Sequence, residues 1–168
     1  MSLDSVRAFL AAHAPDLTIV ETEARTATVA EAAAAHGVAP GQIAKTLSLR
    51  VGERAVLVVA RGDVRLDNRK ARAAFAAKPR MLEAAEVAAL TGHPVGGVCP
   101  FGLATPLPVY CDVSLRGFEA VWPAAGSVNS AVRIAPDRLA ALVGAEWVDV
   151  CQPPAGEGAG GEAVAAGA

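Results

Sequence analysis

The chain has 168 residues, 53% of them hydrophobic and 19% charged, with a formal net charge of −2. This length suits one domain with one hydrophobic core, and this composition excludes an intrinsically disordered chain. The sequence has no run of about 18 apolar residues, as a membrane span needs, and no signal-peptide pattern at its start, so we expect a cytoplasmic protein.

Apolar spacing predicts helices and strands in uneven order, which is typical of a mixed α+β domain. Thr28 and Glu31 form a capping box that opens one helix, and Gly37 suits the end of that helix. We expect the domain over residues 1–152 and a disordered tail rich in glycine, alanine and proline over residues 153–168. The predicted helices span residues 2–13, 28–37, 67–77, 83–90 and 136–143, and the predicted strands span residues 17–21, 43–51, 55–60, 109–112, 118–122, 131–134 and 146–150.

Lys45 is an anomaly on the predicted strand over residues 43–51. Strict alternation places it on the same face as Ile43 and Leu47, where an unpaired lysine is costly to bury. The lysine either extends to water at the strand end or is held in a pocket, where its ammonium binds an anion or a developing oxyanion. The strand alone leaves both interpretations open.

The segment over residues 92–102 holds four glycines and two prolines and predicts a shaped loop. Glycine permits close backbone approach, and Pro100 fixes the chain direction. Such a loop can direct backbone amides at a carbonyl group, although a simple turn is the commoner reading. The segment lacks the pattern of a phosphate-binding loop, so nucleotide binding is weakly supported.

Three further residues are candidates with strong structural alternatives. Ser127 lies in a small-residue stretch, but no elbow motif or triad spacing surrounds it. Asp112 ends a predicted strand and either faces a pocket or caps a turn at Ser114. Cys99 is either a thiol nucleophile with His93 or His36 as its base, or a small buried apolar residue. The three cysteines are too widely spaced for a disulfide framework or a metal site, and we expect no metal and no cofactor.

The segment over residues 61–80 carries a local excess of five positive charges in an otherwise acidic chain. A basic patch of this kind predicts one of two things. Either the protein contacts a polyanion through this patch alone, or the segment is a helix face exposed to solvent. Its basic residues are Arg61, Arg65, Arg69, Lys70, Arg72, Lys78 and Arg80.

These features occur in an order that resembles the YbaK-like family, which includes the editing domain of bacterial prolyl-tRNA synthetases and the free-standing ProXp-type proteins. The resemblance runs from about residue 2 to residue 150. Its elements are the capped helix ending at Gly37, Ile43-Ala44-Lys45-Thr46-Leu47, Gly96-Gly97-Val98-Cys99-Pro100-Phe101-Gly102, Asp112, and Ala125-Gly126-Ser127.

The resemblance implies a curved mixed β-sheet flanked by helices around one pocket, and an activity that hydrolyses the ester between a wrong amino acid and the terminal adenosine of tRNA. Lys45 matches the lysine that engages the acceptor end or the substrate carbonyl, and Gly96 and Pro100 match the ends of a GxxxP loop that shapes the pocket. A ribose hydroxyl is thought to assist catalysis in relatives. Substrate-binding roles are implied for Thr28, Gly97, Val98, Cys99, Phe101, Gly102, Asp112, Gly126, Ser127 and Asn129.

The expected substrate is tRNA(Pro) carrying a small residue such as alanine or 2-aminobutyrate. No synthetase catalytic or anticodon-binding domain is present, so tRNA identity would come from the basic segment over residues 61–80 or from a partner such as prolyl-tRNA synthetase. The alternatives are a non-catalytic tRNA- or synthetase-binding module of the same fold and a small-molecule hydrolase that depends on Cys99.

Overall fold

The structure is a computed structural model that describes residues 2–154 and confirms the predicted α+β class. Two short 3-10 helices, Pro40–Gln42 and Val113–Gly117, complete the regular elements of this range. The α-helices are α1 (Ser2–His13), α2 (Val29–His36), α3 (Asn68–Phe75), α4 (Ala84–Thr91) and α5 (Pro136–Val143), and the strands are β1 (Ile19–Glu21), β2 (Ile43–Val51), β3 (Arg54–Arg61), β4 (Pro79–Met81), β5 (Val109–Asp112), β6 (Trp122–Pro123), β7 (Ser130–Val132) and β8 (Glu146–Val148).

The main sheet is mixed and is built around β2 and β3. Its strand order is β4-β2-β3-β5-β8, and β6 pairs with β2 beside this path. β2 and β3 are antiparallel, whereas β5 joins β3 in parallel and β8 joins β5 in parallel. β1 and β7 form a separate antiparallel pair.

Strand β3 lies at the centre of the core and is buried on both faces. Leu57 and Val59 belong to a cluster that includes apolar residues of α1 and α5. Val56 and Val58 belong to a second cluster that includes Phe75 of α3. Side chains alternate between the two faces of a strand, so a strand covered on both sides reads as a continuous apolar run, as predicted for residues 55–60.

Several boundaries that local chemistry predicted are confirmed. Thr28 caps α2 by accepting from the backbone N–H of Glu31 at 3.1 Å, and the Glu31 carboxylate accepts from the N–H of Thr28 at 3.2 Å. Gly37 ends that helix with a φ of 67°. Asp67 caps α3 at the predicted start of that helix, and its side chain accepts from the backbone N–H groups of Arg69 and Lys70.

Other boundaries were wrong. Helix α3 ends at Phe75, because Ala76 adopts a left-handed conformation with a φ of 59°. Strand β4 was not predicted, and it begins at Pro79, a position where a strand tolerates proline. The strand predicted over residues 118–122 is reduced to Trp122–Pro123. Most of the predicted tail, residues 155–168, lies outside the described residues, and within residues 2–154 no helix is long and apolar enough to span a bilayer.

Candidate active site

A cavity of about 360 Å³ opens beside strand β2. Its walls come from five separated parts of the chain, and most of the lining side chains are small or apolar. Met81 and Val95, which are 58% and 60% exposed, line its open side. The lining residues are Thr26, Ala27, Thr28, Val29, Ala32, Ile43, Ala44, Lys45, Thr46, Ser48, Met81, Leu82, Ala84, Val87, Val95, Gly96, Val98, Trp122, Ala124, Ser130 and Ala131.

The cavity borders a stretch of β2 that is unpaired on one edge. On the edge away from β3, β6 pairs with β2 only at Ile43 and Ala44, and β4 pairs with it only from Leu49 to Val51. The Leu82 N–H donates to the Ser48 carbonyl at 3.0 Å, so the main-chain groups of Ser48 face this edge. Because main-chain direction alternates along a strand, those of Thr46 face it too.

Lys45 is the only charged residue that lines the cavity within residues 2–154. Its half-buried ammonium donates to the backbone carbonyls of Gly62, at 3.3 Å, and Val64. Burial lowers the pKa of Lys45, and the nearby Cys151 and Asp63 oppose that shift. An ammonium has three N–H donors, so one remains for a ligand.

Thr46 contributes a hydroxyl that has no hydrogen-bond partner. Its Oγ1 atom is buried, and only one other buried side-chain polar atom in the described part of the chain, His36 Nε2, shares this condition. The other cavity threonines differ, because the Thr26 hydroxyl donates to the Val128 carbonyl at 3.1 Å and the Thr28 hydroxyl caps α2.

The glycine-rich loop forms part of the wall through backbone contact. Gly96 has a φ of 94°, and a Cβ atom there would lie 2.8 Å from the Cβ of Ala27. A Cβ on Gly97 would lie 2.8 Å from the backbone of Ser127. Side chains are therefore excluded at both positions, which explains the glycine pair that the sequence shows.

Helix α1 fastens this loop to the segment around Gly126. The Ser2 hydroxyl donates to the Gly126 carbonyl and lies 2.6 Å from Nδ1 of His93. Nε2 of His93 lies 2.7 Å from the carbonyl oxygen of Phe101, and burial lowers the pKa of the ring. His93 is thus a structural link inside the loop, behind the cavity wall.

The structure brings four of the candidate site residues together on the cavity wall, namely Thr28, Lys45, Gly96 and Val98. The other candidates of the two loops pack behind the wall, where they hold its shape without facing the cavity. These are Gly97, Cys99, Pro100, Phe101, Gly102, Gly126, Ser127 and Asn129.

Ser127 and Asn129 bind each other instead of an open site. The Ser127 hydroxyl lies 2.9 Å from Oδ1 of Asn129 and 2.6 Å from the hydroxyl of Ser130. The Asn129 amide donates to the Thr22 carbonyl at 2.8 Å. Both side chains therefore stabilise the turn before β7.

Asp112 lies outside the cavity, and its interpretation as a turn cap is the one the structure supports. One carboxylate oxygen accepts from the N–H of Ser114 at 3.0 Å, and the other accepts from the N–H of Val150 at 2.8 Å. Its side chain is buried by β5 and the segment after β8. A substrate contact by Asp112 is not supported.

Cys99 is completely buried and does not line the cavity. Burial raises its pKa to about 12, so the thiol holds its proton at neutral pH. A thiolate is the reactive form of cysteine. A hydrolase that uses Cys99 as its nucleophile is therefore contradicted by this geometry.

The basic segment divides into buried and exposed members. Arg61 is buried, with its guanidinium 2.7 Å from the Asp63 carboxylate, and Lys70 binds Asp149 at 3.0 Å. Arg61 is thus badly placed for tRNA. The exposed members form no ion pair with a described residue; they are Arg65, Arg69, Arg72, Lys78 and Arg80.

Sequence reasoning missed most of the cavity wall. Thr46, Ser48, Met81, Val87 and Trp122 all line it, and none was a candidate. Only Thr46 carried a local signal, since it follows Lys45 directly on the same strand. Met81, Val87 and Trp122 become neighbours of Lys45 only through long-range packing.

Comparisons with known proteins identify the family and agree with the fold. The family described as the aminoacyl-tRNA editing domain matches residues 23–142. The uncharacterized protein YwhH of Bacillus subtilis is 46% identical over 154 residues, which cover 90% of this chain and 98% of YwhH. EbsC of Enterococcus faecalis, a candidate Cys-tRNA(Pro)/Cys-tRNA(Cys) deacylase, is 29% identical over 117 residues, which cover 68% of this chain and 71% of EbsC. The crystal structure of a candidate trans-editing enzyme for prolyl-tRNA synthetase superposes with a TM-score of 0.84 at 38% identity and covers 90% of this chain and 98% of that one.

Proposed function

This chain belongs to the aminoacyl-tRNA editing domain family, and on that premise we propose that it is a trans-editing hydrolase that deacylates mischarged tRNA. The proposed substrate is tRNA(Pro) carrying a small residue such as alanine or 2-aminobutyrate. One observation carries the proposal, namely that Lys45 is the single charged residue lining a mainly apolar cavity within residues 2–154. A cytoplasmic location, where aminoacyl-tRNA is used, belongs to the same proposal.

The reaction needs a stabilised oxyanion. Water adds to the ester carbonyl carbon, and the carbonyl oxygen becomes negatively charged. The bond to the ribose oxygen then breaks, a proton of the attacking water passes to that oxygen, and the amino acid and the free tRNA end are released. The Lys45 ammonium supplies the charge that this intermediate requires, in a place where burial strengthens electrostatic attraction.

Water activation is assigned to the substrate. Within residues 2–154, no Asp, Glu, His or Cys side chain lines the cavity to act as a general base. The neighbouring ribose hydroxyl of the terminal adenosine is placed to orient the water in our proposal. An aminoacyl ester is already activated, so orientation and charge stabilisation can supply the rate.

The cavity wall favours a small aminoacyl group. Its lining includes the small residues Ala27, Ala32, Ala124 and Ala131 together with Gly96. A rigid wall rejects a side chain that is too large through steric clash. The exposed apolar side chains at the opening, Met81 and Val95, suit the faces of the terminal adenine.

The exposed members of the basic segment suit the acceptor stem. Arg80 precedes Met81 on β4, which borders the cavity, and Arg65 is close enough to act on the charge of Lys45. Phosphate contacts from these cations would position the acceptor end without reading sequence. A synthetase partner would then supply the remaining tRNA selectivity.

A deacylation panel tests the function. Purified protein is incubated with tRNA(Pro) charged separately with alanine, 2-aminobutyrate, cysteine, serine and proline, and the loss of ester is measured. We expect fast release of alanine or 2-aminobutyrate and retention of proline. Binding of the acceptor end with no turnover on any ester would reject the enzyme and leave a non-catalytic binding module.

A further inference from the structure

Ser48 brings to the cavity a hydroxyl that the fold itself does not use. We propose that this hydroxyl accepts a hydrogen bond from the α-amino group of the aminoacyl ester, which makes Ser48 a substrate-binding residue. The inference rests on the proposed deacylase function and deepens it, because it assigns recognition of the amine to one side chain.

The first support is that the hydroxyl is unpartnered and can be reached. Ser48 is only 4% exposed and lines the cavity. Its side chain forms no hydrogen bond within the described part of the chain, and Thr46 Oγ1 is closed off from solvent whereas the Ser48 hydroxyl is not. A polar atom that is mostly buried is unfavourable without a partner, so a ligand that donates to Ser48 would remove this cost.

The second support is the direction of the Ser48 side chain. Ser48 lies directly opposite Leu57 in the β2–β3 pairing, and residues paired in this way share one face of the sheet. Leu57 packs in the same cluster as Cys99 and Phe101 of the glycine-rich loop. The Ser48 side chain therefore projects from the face of β2 that the loop covers.

The cavity receives groups from both faces of β2. Lys45 lies opposite Ala60, which belongs to the cluster on the other side of the sheet. No strand of the described structure pairs with β2 between its contacts with β6 and β4, and the cavity borders this open edge. It is therefore lined by Lys45 from one face and by Ser48 from the other, and a ligand seated at the edge meets them through different atoms.

The third support is the match between unused groups of the cavity and polar groups of the ligand. The aminoacyl part of an alanyl ester has a carbonyl and an amine, and the Lys45 ammonium, which only donates, suits the carbonyl. No Asp or Glu side chain lines the cavity within residues 2–154, so a neutral oxygen must accept from the amine. The hydroxyls of Thr26, Thr28 and Ser130 are already engaged in hydrogen bonds. The Ser48 hydroxyl is free to accept.

The test compares Ser48→Ala with the unmodified protein on two esters of tRNA(Pro). One ester is alanyl, and the other is propionyl, which has the same carbon skeleton without the amine. Single-turnover release is measured relative to the spontaneous hydrolysis of the same ester. We expect Ser48→Ala to slow alanyl release about 10- to 100-fold, the effect of leaving a buried donor without its acceptor, and to change propionyl release by less than about twofold.

Thermal unfolding separates this role from a structural one. Ser48→Ala removes an unpartnered hydroxyl, so its Tm should equal or exceed that of the unmodified protein. Ser114→Ala is the matched control, because the Ser114 hydroxyl accepts from the Arg61 N–H at 3.3 Å and lies outside the cavity. The control should lower Tm and leave the release of both esters unchanged.

Each outcome decides the proposal. Equal slowing of both esters by Ser48→Ala would assign the hydroxyl to the water or the ester carbonyl and overturn the amine assignment. Unchanged alanyl release or a lowered Tm would overturn it as well. An unmodified protein that cleaves neither ester would instead reject the deacylase function, so the two failures are distinguishable.

Discussion

Replacement of Lys45 by methionine tests the proposed catalysis most directly. Methionine keeps an unbranched apolar side chain and removes the ammonium. At about 3 Å and an effective dielectric constant of about 20, a unit charge pair attracts by about 5–6 kcal/mol, part of which is lost to desolvation. Loss of one preorganised oxyanion donor commonly slows an enzyme by about 10²–10³-fold, and we expect that range for Lys45→Met.

The fold should survive this change. Lys45→Met loses two hydrogen bonds from a charged donor, each with a net contribution of about 1.5–3 kcal/mol, and it removes the cost of a half-buried charge, which offsets most of that loss. The net change in the free energy of unfolding should stay within about 1–2 kcal/mol. Single-turnover release of alanine from tRNA(Pro) and a denaturant titration measure the two quantities separately.

Arg138→Ala is the control for this experiment, since Arg138 forms an exposed ion pair with Asp16 at 2.6 Å and does not line the cavity. It should leave alanine release unchanged. Lys45→Met activity within about threefold of the unmodified protein, with a normal fold, would refute the role of the ammonium, because a threefold change corresponds to only about 0.7 kcal/mol.

The pH profile gives a second view of Lys45. Burial lowers its pKa below the ordinary 10.5, so the ammonium is lost at a lower pH than in free lysine. Activity should therefore fall on the alkaline side before pH 10.5, and this limb should be absent in Lys45→Met. The stability of the fold should change with pH in the opposite direction to activity. Between the pKa of Lys45 in the folded protein and 10.5, the unfolded chain binds more protons than the folded one, so the free energy of unfolding rises with pH.

Three further predictions concern residues around the site. Cys99 should resist iodoacetamide in the native protein at pH 8, because a thiol with a pKa of about 12 is protonated there, and Cys99→Ala should retain alanine release. Rapid alkylation with loss of activity would contradict the burial of Cys99. Asp112→Ala should lower the free energy of unfolding by about 2–4 kcal/mol, because two backbone N–H groups lose their acceptor. The activity per folded molecule should stay normal, and a selective loss of activity would show that Asp112 contacts the substrate. Arg69→Glu should raise KM for tRNA, most strongly at low salt, with little change in kcat. An unchanged KM would show that Arg69 does not contact the acceptor stem.

Elements specified by neighbouring residues were predictable from the sequence. Thr28 and Glu31 are three residues apart and complete their capping box without help from the rest of the chain. The alternation of β2 and the apolar run of β3 likewise needed only the local pattern. Lys45 could be selected because a lysine breaks that pattern.

Features that depend on distant pairing were not predictable. The unpaired stretch of β2 exists because β4 and β6 both end before they reach Thr46, which no local pattern encodes. Arg61 was counted with a surface patch because charge alone does not reveal that its side chain is buried beside Asp63. Asp112 had two local interpretations, and only its contact with Val150 decides between them.

The backbone contact between Gly97 and Ser127 also determines when the cavity can exist during folding. These residues are far apart in sequence, and the cavity wall additionally takes residues from β2 and from the segment before α2. Contacts of such long sequence separation form only after the chain has lost the entropy of closing large loops. A partly folded chain that already contains the β2–β3 hairpin would therefore have Lys45 on its strand but no enclosed cavity around it. The chain can bind and hydrolyse its substrate only after the last long-range contacts of the domain have formed.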